Sequence, residues 1–140
     1  MFKVAVAIVL LLFAVGIPSA EANVIAKQQL IEMFDGMTKQ GRLDPSKPLL
    51  WGYFFTDTSK EPLERAAQLL KKEGYRIVDV YLSDKEHPGE ADLWWLHVEK
   101  IEVHTPETLD IRNQELNRFA QEQGLGSYDG MDVGPATRAN

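Results

Sequence analysis

The hydrophobic pattern changes character once near the start of the chain and then alternates between helical and strand periods. Residues 4–15 form an unbroken apolar run behind a basic start at Lys3, closed by Gly16, Pro18 and Ser19 and followed by Ala20-Glu21-Ala22. Twelve apolar residues fall short of the roughly 20 that span a bilayer, and they suit the core of a secretory leader cut after a small-x-small site. The sequence therefore predicts cleavage after Ala22 and a periplasmic or secreted product, the alternative being an uncleaved N-terminal anchor, since the stretch from Val4 to Ile17 is at the lower edge of a span. From Asn23 to about Lys39, Val24, Ile25, Leu30, Ile31, Phe34 and Met37 recur at helical spacing, and Gly41 with the 44–48 Asp-Pro-Ser-Lys-Pro cluster ends that helix. Leu49 to Thr56 is short and dense in aromatics, the pattern of a strand buried on both faces. Thr58 and Glu61 make a capping-box pattern ahead of Pro62, and Leu63, Ala66, Ala67, Leu69 and Leu70 carry a helix to Gly74.

Tyr75 to Ser83 is rich in β-branched and aromatic residues and predicts a strand, closed by a turn over residues 84–89. Asp92 to His104 predicts the next strand. There Trp94, Leu96 and Val98 share one parity while Ile101 and Val103 fall on the other, so keeping all five inside requires a bulge near Glu99 and Lys100. Thr105 has the chemistry of an N-cap, Pro106 that of a first helical position, and Leu109, Leu116, Phe119 and Ala120 continue a helix to Gly124. Leu125 to Asp132 supplies a short last strand. After the first helix the order is β, α, β, β, α, β, which predicts an α+β fold: a ferredoxin-like split βαβ sandwich, with one antiparallel sheet and two helices on one face. The expected organisation is a leader at 1–22, an extra helix and linker at 23–46, the sandwich at 47–135 and a disordered tail at 136–140.

Composition narrows the chemistry. The chain of 140 residues carries 15 Lys and Arg against 21 Asp and Glu, a formal charge of −6, which disfavours nucleic acid and anionic membrane as partners. It has no cysteine, so disulfides, thiolate metal sites, cysteine nucleophiles and a lipoprotein anchor are excluded. His87, His97 and His104 are the only histidines, and none forms an i, i+4 pair. Trp95, His97 and Glu99 share one strand face, either a solvated patch or a small site. His87 lies among Asp84, Glu86 and Glu90 in a spacing that matches no metal loop, and no cofactor or metal is expected. Ser46, Ser59, Ser83 and Ser127 fall in turns or caps and none lies in a nucleophile elbow. Trp51, Tyr53, Phe54 and Phe55 lack basic companions, which favours core packing over base stacking.

The segment Leu109-Asp110-Ile111-Arg112-Asn113-Gln114-Glu115-Leu116, then Phe119-Ala120, then Tyr128-Asp129-Gly130-Met131-Asp132-Val133-Gly134-Pro135 resembles the family of the regulator of ribonuclease E activity B. The resemblance covers roughly residues 49–135, and its most specific part is the Tyr-Asp-Gly element. It implies a noncatalytic protein of ferredoxin-like fold that acts by binding a protein, with Arg112, Asn113, Tyr128, Asp129 and Gly130 as interface or as structure. Met131 stands where family members often carry an aromatic residue, and the long acidic tail of the well-known regulator is absent. Ribonuclease E is cytoplasmic, so an exported chain is expected to meet an envelope protein instead, and the acidic surface suggests a basic one. The competing readings are a small periplasmic hydrolase or metal-dependent enzyme built on His97, Glu99 and the loop at His87, and a small-ligand binder with its pocket between the first helix and the sheet.

Overall fold

The computed structural model describes the backbone of residues 25–139; the leader, its cleavage point after Ala22 and Asn140 lie outside the described residues. The first helix, α1 (Lys27–Gln40), buries Leu30, Met33, Phe34 and Met37 and stops at Gly41, whose φ of 66° is left-handed. Strand β1 (Leu49–Asp57) is buried along nearly its whole length, as its aromatic density predicts. Helix α2 (Lys60–Lys72) buries Leu63, Ala66, Ala67 and Leu70. It starts one residue later than the Thr58–Glu61 capping box requires: Ser59 is the N-cap and its hydroxyl makes no cap bond. The Asp57 carboxylate accepts from the Ser59 N–H at 2.8 Å instead. This side chain at the end of β1 turns the chain before Thr58 can cap.

Strands β2 (Arg76–Leu82) and β3 (Trp94–Glu102) form a hairpin. Helix α3 (Pro106–Glu122) begins at the predicted cap, with Thr105 Oγ1 accepting from the Thr108 N–H at 3.2 Å. Strand β4 (Ser127–Pro135) runs longer than the short strand expected. The backbone then makes one 3-10 turn, Ala136–Ala139, in the stretch whose composition predicts a disordered tail. The sheet order is β2-β3-β1-β4 with every neighbouring pair antiparallel, the ferredoxin-like split βαβ arrangement. Leu49, Trp51, Tyr53, Phe55, Leu96, Val98, Tyr128, Met131 and Val133 join the apolar faces of all three helices in one core. The extra helix therefore belongs to the helical layer: it packs on α3, and Phe34 stacks on Trp51 at 5.9 Å. Phe34 and Trp51, both buried, pack between the first helix and the sheet, where the small-ligand reading places its pocket.

The bulge near Glu99 and Lys100 is absent. Strand β3 pairs with β1 in unbroken register from Trp94↔Asp57 to Glu102↔Leu49, so Lys100 and Glu102 inherit the core parity. Ile101 and Val103 stay on the other parity, 49% and 52% exposed. The register shifts lie in β2, between Ile77 and Asp79, and in β4, where Phe55 pairs with Tyr128 but Phe54 pairs with Gly130. Asp129 is thus the extra residue of a bulge, and Gly130 takes a φ of 113°. This lets Tyr128 and Met131, three positions apart, both face the helices.

A Cβ at the Gly130 φ would be strained, so Gly130→Ala is expected to lower the unfolding free energy by about 1–3 kcal/mol in urea titration. A mutant as stable as the native chain would show that the bulge does not need glycine.

Candidate functional site

The sequence-predicted residues fall on opposite sides of the sheet. Arg112 and Asn113 project from α3 toward the sheet and Tyr128 meets them from β4 on the helix side, with Asp129 and Gly130 in the adjoining bulge; Trp95 and His97, half-buried, lie on the face away from the three helices, the open side. Beneath α3 the organising group is Glu102, which the continuous register of β3 directs toward the helices. Its Oε2 accepts from the Tyr53 hydroxyl at 3.0 Å and lies 2.9 Å from His104 Nε2, while Oε1 pairs with the Arg112 guanidinium. Arg112 also donates to Glu115 at 2.8 Å and lies 5.9 Å from the Tyr75 ring centre. His104 Nδ1 is 3.0 Å from Thr108 Oγ1 in the first turn of α3, and Trp51 meets the imidazole edge-on at 5.4 Å.

Burial alone would raise the Glu102 carboxyl, but the bonds from His104 and Arg112 outweigh it and hold the pKa at about 2. Burial acts against the Arg112 charge, yet Glu102 raises its pKa further. The Tyr53 phenol is pushed well up, first by burial and then by the Glu102 charge. Tyr75 rises to about 12, mainly by burial. A carboxylate, an imidazole, a phenol and a guanidinium thus meet in one cluster, but their bonds are spent on joining β1, β3 and α3.

The neighbouring residue on α3 serves β4 in the same way. Tyr128 donates to Asn113 Oδ1 at 2.6 Å, and Asn113 Nδ2 reaches Met131 Sδ at 3.3 Å. Asn113 and Tyr128 are 0% and 1% exposed, so the Tyr-Asp-Gly element forms a brace: tyrosine under the helix, aspartate bulged outward, glycine at positive φ. Asp129 remains half-buried on the open side, where burial raises its carboxyl and a bond from Ser127 Oγ at 3.2 Å opposes that rise.

On the open face Phe54 stacks on His97 at 4.3 Å and meets Trp95 edge-on at 6.2 Å, while Trp95 stacks on Tyr81. Glu99 is buried and paired with Arg76. Gly52 makes room for this arrangement. A Cβ there would lie 2.8 Å from His97 Nε2 and collide with the Asp132 carboxylate, so both side chains close over a residue that has none.

His87 does not join His97 and Glu99. Glu99 pairs with the first residue of β2, and His87 lies in the loop beyond its last. Nearly the whole of β2 therefore lies between that loop and Glu99, and half of it between the loop and His97, which pairs with Asp79. In that loop Glu86, His87 and Glu90 are the residues that could hold a metal: each brings a ligand atom within 4.8 Å of the others, and all three are exposed. Such an exposed set is the ordinary condition of an acidic surface loop.

Sequence reasoning missed Tyr53, Glu102 and His104 as a set. Their signal was the parity of β3 itself: Lys100, Glu102 and His104 continue Trp94, Leu96 and Val98 in steps of two. Polar identity at those positions made a bulge look necessary.

Glu102 titrates near 2 in the folded chain against an ordinary 4.5. Its contribution to stability is therefore complete above 4.5 and is lost as pH falls from 4.5 toward 2. Urea unfolding across that interval is expected to show falling stability in the native chain and a flatter profile in Glu102→Gln. Tyr128→Phe strands Asn113 Oδ1 in the core and should cost about 1–3 kcal/mol, measured by the same titration; an unchanged midpoint would show that the bond contributes nothing.

A search of curated proteins finds no match to this chain. The sequence model of the regulator of ribonuclease activity B family matches residues 27–133, from the start of α1 almost to the end of β4, including the paired residues Glu102, Arg112, Asn113 and Tyr128. The match covers far more than half of the 140 residues, and the chain belongs to the RraB family, regulators of ribonuclease activity that work by binding a protein.

Proposed function

We propose that this chain is an exported, noncatalytic member of the family that acts on an envelope protein by binding it. The observation that carries the binding role is the family match over residues 27–133. The leader pattern at 1–22 supports export. The absence of catalysis is supported by the fate of the groups best suited to it: Tyr53, Glu102, His104 and Arg112 are committed to one another between sheet and helices. With ribonuclease E in the cytoplasm, export directs this mode of action to a different partner. The charge of −6 favours a basic one.

Fractionation of a C-terminally tagged full chain, with N-terminal sequencing of the product, tests this reading. A periplasmic species beginning at Asn23, together with no effect of the purified chain on ribonuclease E cleavage, is the expected result. A cytoplasmic product that keeps Met1 and slows ribonuclease E would overturn export and return the chain to the family's named target.

A further inference from the structure

The two faces of the sheet are furnished differently. On the helix side the aromatic rings already carry cations: Lys60 lies 5.3 Å from the Trp94 ring centre, and Lys100 lies 4.6 Å from that of Tyr75. On the open side Tyr81 and Trp95 stack 6.4 Å apart and 7° from parallel, and among the described residues no cation lies over either ring. The pairing register sets Tyr81, Trp95, Thr56 and Ser127 in one row across all four strands. Thr56 and Ser127 are hydroxyl-bonded at 2.6 Å, and Ser127 donates to Asp129. One end of the row is thus a flat aromatic pair and the other a carboxylate.

Among the described side chains this face is rich in carboxylates. Asp79, Asp129 and Asp132 lie on it, while the charge of Glu99 is balanced by Arg76. Asp79, His97 and Asp132 make further contacts within the chain, whereas Tyr81 and Trp95 in the row and Asp129 beside it are half-buried and keep part of their surface outward. The Tyr81 phenol is pushed up by burial first and then by Asp79, Asp132 and Asp129, which registers the negative field over the rings. Phosphate groups would be repelled from such a surface. A guanidinium suits it, because its plane stacks on an aromatic face while its N–H groups reach a carboxylate. Lysine matches the charge but not the stacking.

We propose that the open face of the sheet, along the row from Tyr81 and Trp95 to Asp129, takes an arginine-bearing segment of a protein partner. This rests on the protein-binding reading above and names the surface and the chemistry by which it works.

The test titrates the purified chain with a short arginine-rich peptide, with the same peptide carrying lysine for arginine, and with a short uridine RNA. Calorimetry reads affinity, and the indole N–H resonances of the three tryptophans read position. The arginine peptide is expected to bind, to shift the Trp95 indole and to weaken with salt. The lysine peptide should bind less tightly and the RNA not at all. Trp95→Ala should weaken the arginine peptide about tenfold. Asp129→Asn, which alters a half-buried group without removing packing volume, should weaken it as well. No binding by the native chain, equal binding by both variants, shifts confined to Trp51 and Trp94, or tighter binding of RNA would each overturn the proposal. Failure here is separable from failure of the functional reading. Variants that regulate or capture a partner as the native chain does, without peptide binding, leave that reading standing and remove this surface. Peptide binding through Trp95 in a chain that regulates nothing does the reverse.

Discussion

The structure turns on one ionised carboxylate placed where a strand faces its core. Glu102 follows Leu96, Val98 and Lys100 on the helix side of β3, and a charge at such a position is tolerated only if its hydrogen-bonding capacity is filled. Tyr53, His104 and Arg112 fill it. Each comes from a different part of the chain: the middle of β1, the turn after β3 and the first half of α3. Satisfying Glu102 therefore fixes where α3 lies over the sheet. The bonds from His104 and Arg112 outweigh burial and hold the Glu102 pKa low, at about 2.

Arg112 and Asn113 are consecutive on α3 yet reach different strands. Arg112 is tied to β3 through Glu102, and Asn113 to β4 through Tyr128 and Met131, with β1 and Tyr53 between them in the sheet. The helix is held across the central strands by two neighbouring side chains. The Asp129–Gly130 bulge is what allows Tyr128 and Met131 to face the helix together. A motif that reads as a possible interface is in this way the structural complement of a helix. The consequence for function is that the helix side of the sheet is consumed by the fold, and recognition is left to the other surfaces.

Much of this was legible beforehand. Periodicity located the helices and strands, Thr105 and Pro106 marked the start of α3, and the order of elements led to the ferredoxin-like sheet. The misreadings share a cause. A bulge near Glu99 and Lys100 follows from counting Ile101 and Val103 as core because they are apolar, which leaves the even positions Lys100 and Glu102 out of the core. Residue polarity is a local property, whereas the worth of a buried charge depends on groups far away in sequence; Tyr53 is 49 positions from Glu102. The same limit applies to Thr58: its cap pattern was sound locally, but the Asp57 carboxylate reached the turn first.

The sequence by itself determined the period of each element, the breaks at Gly41, Gly74 and Gly124, the acidic charge and the family, because these depend on neighbours along the chain or on composition. Only the tertiary structure decided which parity of β3 faced the helices, that the bulges belong to β2 and β4, and that Trp95 and His97 lie on the opposite side from Arg112 and Asn113. Those outcomes follow from cross-strand register and from the pairing of Glu102 with Arg112 and Tyr128 with Asn113, and such contacts exist only once separate segments have met.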